Sequence, residues 1–154
     1  MIHLSWEDIK RGAEDIAAQV MASSFEPTYL IGITVGGLVP LALIAKELEM
    51  QRVATVSASS YDGNEKKGLK IRALPNVDLS QERVLLIDDI SDTGDTLQNI
   101  SQLLKDEYAV SEVQTAVMVS REDKKAYEPD FYARGVDNWV VFPWEKGVEK
   151  ASKD

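Results

Sequence analysis

Four carboxylates and two threonines fall within the nine residues Asp88-Asp89-Ile90-Ser91-Asp92-Thr93-Gly94-Asp95-Thr96. Beyond them Leu97, Ile100, Leu103 and Leu104 recur at helical spacing, so a helix begins at this turn. The free N–H groups and the dipole at a helix start hold a phosphate. Gly94 lets the backbone approach it, and the hydroxyls of Thr93 and Thr96 add donors. Acids beside such a site make sense when the ligand carries vicinal hydroxyls and a divalent cation as well as a phosphate. Asp88 and Asp89 then accept from ribose hydroxyls, directly or through Mg²⁺, a hard ion that takes few carboxylates and fills its shell with water and ligand oxygens. The bland alternative is helix capping by Asp92 and Asp95. It accounts for one or two acids and leaves Asp88 and Asp89 unexplained.

The element that positions these residues is the apolar run Val84-Leu85-Leu86-Ile87, the pattern of a strand buried on both faces. Open α/β sheets bind ligands beyond the carboxyl ends of such strands. A second strand, turn and helix precede it: Tyr29–Ile33, then Thr34-Val35-Gly36-Gly37, then the apolar helix LVPLALIAKELEM. Two units of this kind put two phosphate-binding loops on one sheet edge. Upstream, Ser5 and Asp8 form a capping box, and Ile9, Ala13, Ile16, Ala17 and Val20 give a structural helix lasting to about Met21. Val53–Ala58 is another strand, leading into the loop SSYDGNEKKGLKIRA between two short strands. Lys66, Lys67, Lys70 and Arg72 there suit a mobile lid that neutralises a polyanion and excludes water. Glu112–Val119 is a further strand, and Ser120–Pro129 a charged loop.

At 154 residues with no linker or repeat, residues 1–154 form one domain. The absence of cysteine excludes disulfides and thiolate zinc sites. No apolar run reaches the roughly 18 residues of a membrane span, and MIHLSWEDIKRG has no signal-peptide pattern, so a cytoplasmic protein is expected. A formal charge of −9 argues against a nucleic-acid partner or an anionic membrane surface. A polyanionic substrate must therefore be held by local cations or by Mg²⁺.

The run from Val84 to Thr96 (apolar strand, two acids, two spacers, Asp-Thr-Gly-x-Thr) resembles the phosphoribosyl diphosphate (PRPP) signature of type I phosphoribosyltransferases. The resemblance implies that Asp88, Asp89, Asp92, Thr93, Gly94, Asp95 and Thr96 bind the ribose 5-phosphate part of PRPP, with Asp88 and Asp89 on the metal. Asp92 is then the base near the purine ring. Gly36-Gly37-Leu38-Val39-Pro40 is similar to the pyrophosphate loop of the xanthine-guanine members, with Val35 where a basic residue is usual. Ser59-Ser60-Tyr61 resembles the start of the flexible catalytic loop, to which Lys67 also belongs. Where purine-using members carry a Lys that reads the 6-oxo group, this chain has Ser120-Arg121, with Lys124 and Lys125 nearby but displaced. Pro129–Tyr132 and Asp137–Glu145 resemble the purine-specific stretch, in which Trp139 stacks on the base and the backbone carbonyl of Val140 accepts its exocyclic amine. Trp144 reads as a core or interface aromatic.

The resemblance covers roughly Ser5 to Glu145. It implies a doubly wound α/β fold with a mainly parallel sheet and a small C-terminal hood, assembled as a homodimer or homotetramer. The activity implied is Mg²⁺-dependent transfer of ribose 5-phosphate from PRPP to guanine, xanthine or hypoxanthine with release of pyrophosphate, a purine-salvage reaction. Val35 and the missing Lys leave two alternatives open, a phosphoribosyltransferase for another base and a PRPP- or nucleotide-binding regulator without catalysis.

Overall fold

The structure, a computed structural model, describes residues 1–61 and 68–145. A six-stranded sheet runs β4-β3-β2-β5-β6-β7, comprising β2 (Tyr29–Ile33), β3 (Val53–Ser60), β4 (Leu69–Ala73), β5 (Arg83–Ser91), β6 (Glu112–Arg121) and β7 (Phe131–Val136). Every pairing is parallel except that of β3 with β4. Helices α1 (Trp6–Ala22) and α2 (Leu38–Glu47) cover one face and α3 (Asp95–Tyr108) the other. From β2 the chain winds towards β3, and from β5 towards β6. The winding direction reverses between β2 and β5, and ligands sit at such reversals.

Strand alternation builds both halves of the core. Leu85 and Ile87 of β5 pack with Ile9, Ile16 and Ile44 of α1 and α2. Val84 and Leu86 pack with Leu97, Ile100 and Leu104 of α3. The expected capping box starts α1: the Asp8 N–H donates to Ser5 Oγ at 3.1 Å and the Ser5 N–H to Asp8 Oδ2 at 2.8 Å.

Several expected bounds need correction, one of them the end of β6, which runs past Val119 to Arg121. β5 does not end at Ile87; it continues through Asp88 and Asp89 to Ser91. The reason is its neighbour, since β6 stays in register up to the pair Ser91↔Ser120 and supplies ladder partners beyond the apolar run. Helix α2 closes at Glu47, before the expected Met50. The hood is a two-stranded parallel ribbon of β1 (Ile2–His3) and β8 (Val140–Val141). The Ile2 N–H donates to the Trp139 carbonyl at 2.8 Å and the Leu4 N–H to that of Val141 at 2.9 Å. Phe142 stacks on Trp144 with ring centroids 4.8 Å apart, and Trp144 meets Trp6 of α1 at 5.9 Å, so Trp144 is a packing residue.

Candidate active site

Alternation along β5 sends its two adjacent acids to different sides. Asp88 lines a pocket of about 110 Å³ with Ile90, Ser91, Asp92, Thr93, Gly94, Asp95, Thr96 and Leu97. Asp89 faces the turn after β2, where Gly36 lies so close that a Cβ would fall onto its carboxylate. The two loops expected from sequence therefore meet at Asp89. The peptide between Thr34 and Val35 is cis. Val35 points outward, 77% exposed.

Neither Asp88 nor Asp89 has a cationic partner among the described residues. Asp88 Oδ1 accepts the Asp89 N–H at 2.8 Å and Asp89 Oδ1 the Ile90 N–H at 2.7 Å. Burial pushes the Asp88 carboxyl well above the ordinary carboxylate range, with the charge of Asp89 adding to it, and burial also raises Asp89. Glu145, just past the hood, is raised by burial and further by the charge of Asp89, so three acids share this region. Among the described residues no group of three or more His, Cys, Asp or Glu side chains forms a metal cage of its own.

The geometry of the turn follows from Gly94, whose φ of +95° turns the chain into α3 as its N-cap. No side chain caps this helix, so Asp92 and Asp95 are not there as caps. The Asp95 N–H donates to Thr93 Oγ1 at 3.2 Å.

Arg121, at the end of β6, puts a cation beside Asp92. Its Nη1 lies 4.0 Å from Asp92 Oδ1, and its Nε and Nη2 each donate to Asp123 at 3.0 Å. The Asp123 hydrogen bonds hold the guanidinium protonated more firmly still, with smaller contributions from the charges of Asp92 and Asp137. Lys125 is turned away, bound to Glu122 and Glu128 at 2.5 Å each. Ser59 and Ser60 close β3 beside α3: Asn99 Nδ2 donates to Ser60 Oγ at 3.0 Å, and Arg72 Nη1 to Ser59 Oγ at 3.3 Å. Tyr61 follows them, its N–H donating to the Gly68 carbonyl at 3.1 Å. Lys66 and Lys67 lie outside the described residues.

The arrangement is a glycine turn opening a helix, an acid pair and a fixed guanidinium at the carboxyl ends of β5 and β6. The model of the phosphoribosyl transferase domain matches residues 4–151. The chain belongs to the phosphoribosyl transferase family. It is 30% identical over 145 residues to a xanthine-guanine phosphoribosyltransferase of Chromohalobacter salexigens, covering 94% of this chain and 84% of that protein. A xanthine-guanine phosphoribosyltransferase of Desulfotalea psychrophila is 32% identical over 143 residues, covering 92% and 84%. The crystal structure of a purine phosphoribosyltransferase from Pyrococcus horikoshii superposes with a TM-score of 0.82 at 27% identity, covering 94% of each chain.

Within this phosphoribosyl transferase domain, Asp88, Asp92, Thr93, Gly94, Asp95 and Thr96 surround one pocket, and Asp89, next to Asp88, lies against Gly36. The hood residues stand apart. Trp139 is 53% exposed, while the Val140 side chain is buried at 3%, leaving only its backbone for a ligand. Because the carbonyls of Trp139 and Val141 go to β1, the intervening Val140 carbonyl points from the opposite edge of the ribbon. Sequence reasoning did not assign Arg121, Glu145 or Asn99. The signal for Arg121 was the register, since counting from Ser91↔Ser120 puts it beside Asp92.

Proposed function

We propose that the protein transfers ribose 5-phosphate from PRPP to a 6-oxopurine (guanine, xanthine or hypoxanthine) and releases pyrophosphate. An imidazole nitrogen of the base forms a bond to the anomeric carbon. The bond from that carbon to the pyrophosphate oxygen breaks, its electron pair leaving with pyrophosphate, and the displaced imidazole proton is taken up by Asp92. The single observation that carries this reading is the pocket after β5, where Thr93–Thr96 and Asp88 face one cavity with Arg121 and Asp92 at its edge.

Thr93, Gly94, Asp95 and Thr96 bind the 5-phosphate with backbone N–H groups and hydroxyls at the start of α3. The residues suit Mg²⁺ as cofactor. Asp88 and Asp89 are oxygen donors with no internal cation, too few for a protein-only cage, which matches an ion that completes its shell with water and substrate oxygens. When bound there, Mg²⁺ neutralises charge on the departing pyrophosphate. Gly36 and Gly37 offer that group a close backbone approach. Arg121, a pure donor, reads the oxo group of the base, and adenine, which presents a donor at that position, is rejected. Trp139 gives the ring a stacking face and Val140 a carbonyl for an exocyclic amine. The position and charge of each group support turnover mainly by orientation and electrostatics.

Val35 favours a second reading, because its apolar, outward side chain leaves the pyrophosphate loop without a cation of its own. On that reading the protein binds PRPP or a nucleoside monophosphate without catalysis. A pyrophosphate-release assay with PRPP, Mg²⁺ and a panel of guanine, xanthine, hypoxanthine, adenine, orotate and uracil separates the two. Turnover confined to the first three supports the enzyme. A thermal shift with GMP but no pyrophosphate from any base overturns it in favour of the regulator. The same proposal includes a cytoplasmic setting and a homodimer or homotetramer, in which the exposed Val35 and Leu38 are covered by a second copy; light scattering tests the latter. Among the described residues no helix is long and apolar enough to cross a membrane.

A further inference from the structure

We propose that Tyr127, in the connection between β6 and β7, is the positioning residue of the phosphate loop, holding the Thr93–Gly94 turn in the shape a sugar phosphate needs. The proposal rests on the reading of Thr93–Thr96 as that loop. The Thr93 carbonyl accepts two N–H groups from this connection, Ala126 at 2.8 Å and Tyr127 at 3.1 Å. Gly94 lies against the tyrosine so closely that a Cβ there would strike Tyr127 Cβ and approach its ring to 3.0 Å. The phenol oxygen is 3.0 Å from Thr115 Oγ1, and Thr115 is fully buried in β6.

Thr115 is itself fixed. Its N–H donates to Asp130 Oδ2 at 2.8 Å, its hydroxyl to the same oxygen at 3.2 Å, and the Asp130 N–H donates back to Thr115 Oγ1 at 3.1 Å. The Thr115 hydroxyl has one hydrogen and two neighbours able to accept it, Asp130 Oδ2 and the Tyr127 oxygen. With that hydrogen on Asp130, the Tyr127 hydroxyl donates to Thr115 Oγ1. The turn is thus tied to the middle of β6 through one aromatic side chain. From within, it is held by the Asp95 N–H on Thr93 Oγ1 and the Gln98 N–H on the Gly94 carbonyl. A glycine at the apex has wide conformational freedom. Without the ring against it, the amides that meet the phosphate lose their preset direction, and the ligand must order them on binding.

The test compares Tyr127→Ala and Tyr127→Phe with wild type in calorimetric binding of ribose 5-phosphate and in steady-state kinetics. Alanine is expected to weaken ribose 5-phosphate and raise KM for PRPP by about 10- to 100-fold, the range for a small misplacement of a binding group. Phenylalanine, which keeps the ring on Gly94, restores most of this, and the purine KM stays within about threefold on the same argument. A merely structural role would lower kcat through fewer folded molecules at unchanged KM, and that result overturns the proposal. Unchanged affinity for ribose 5-phosphate and PRPP in the alanine variant overturns it too. Should alanine not fold, Tyr127→Leu, which keeps bulk but no ring, makes the same comparison. If folded wild type binds neither ribose 5-phosphate nor PRPP, the phosphate-loop reading itself falls and takes this proposal with it.

Discussion

Arg121 holds its guanidinium 4.0 Å from the Asp92 carboxylate while Asp123 occupies its Nε and Nη2. One edge of the fork is anchored, and Nη1 is left towards Asp92, where the proposed function puts the base. A lysine ammonium cannot hold two partners in that fixed plane. Arg121→Ala is expected to lower kcat/KM for guanine by about 10²-fold, the usual cost of removing one charged donor from a site. Arg121→Lys falls between the two because it keeps the charge. Wild-type kinetics in the alanine variant would place recognition of the oxo group elsewhere.

Asp92 is expected to matter for turnover and not for folding, since it is half exposed and does not cap α3. Asp92→Ala should retain its circular dichroism spectrum and lose about 10²–10⁴-fold in kcat, the range for proton-transfer assistance. Full turnover in that variant removes Asp92 from the reaction.

Gly36 tests whether the two loops act together. Any side chain there collides with the Asp89 carboxylate. Gly36→Ala should therefore raise KM for PRPP on the order of 10²-fold, the effect of displacing a binding group by about 1 Å. On the proposed function, the contacts of Arg121 and Trp139 to the purine should be spared. Parallel KM measurements for PRPP and guanine check this, and equal losses in both would contradict it.

Asp88 gives a pH dependence. Its folded-state pKa is raised by burial and then by Asp89, so between the unfolded value of about 4 and the raised value the folded chain binds more protons than the unfolded one. Stability of the ligand-free protein therefore falls as pH rises through that window. Asp88→Asn removes the buried charge and should stabilise the ligand-free protein at pH 7 by about 1–3 kcal/mol, flatten the pH profile and abolish turnover. Urea titrations from pH 4 to pH 8 read it out. A variant less stable than wild type at pH 7 would show that the Asp88 charge is well solvated.

Local patterns made much of this legible in the sequence. The apolar run of β2 and the Ser5/Asp8 capping box are near-neighbour signals and appear as read. The Asp-Thr-Gly-x-Thr turn is likewise local, and the structure gathers it into one pocket. The extension of β5 to Ser91 was not legible, because acids break the apolar pattern and only the β6 ladder reveals the strand. Arg121 beside Asp92, Glu145 near Asp89 and Tyr127 on Gly94 are all contacts between segments distant in sequence. No periodicity encodes such meetings; they follow from register and from how loops fold back.

The parallel pairing of β1 with β8 means that the hood carrying Trp139 and Val140 is made jointly by residues near both ends of the described chain. During synthesis the hood closes last, when β8 emerges and pairs with a strand made at the very start. On the proposed function, a chain terminated just before the hood would keep the residues around the Thr93–Thr96 pocket and lose the Trp139 and Val140 contacts to the base.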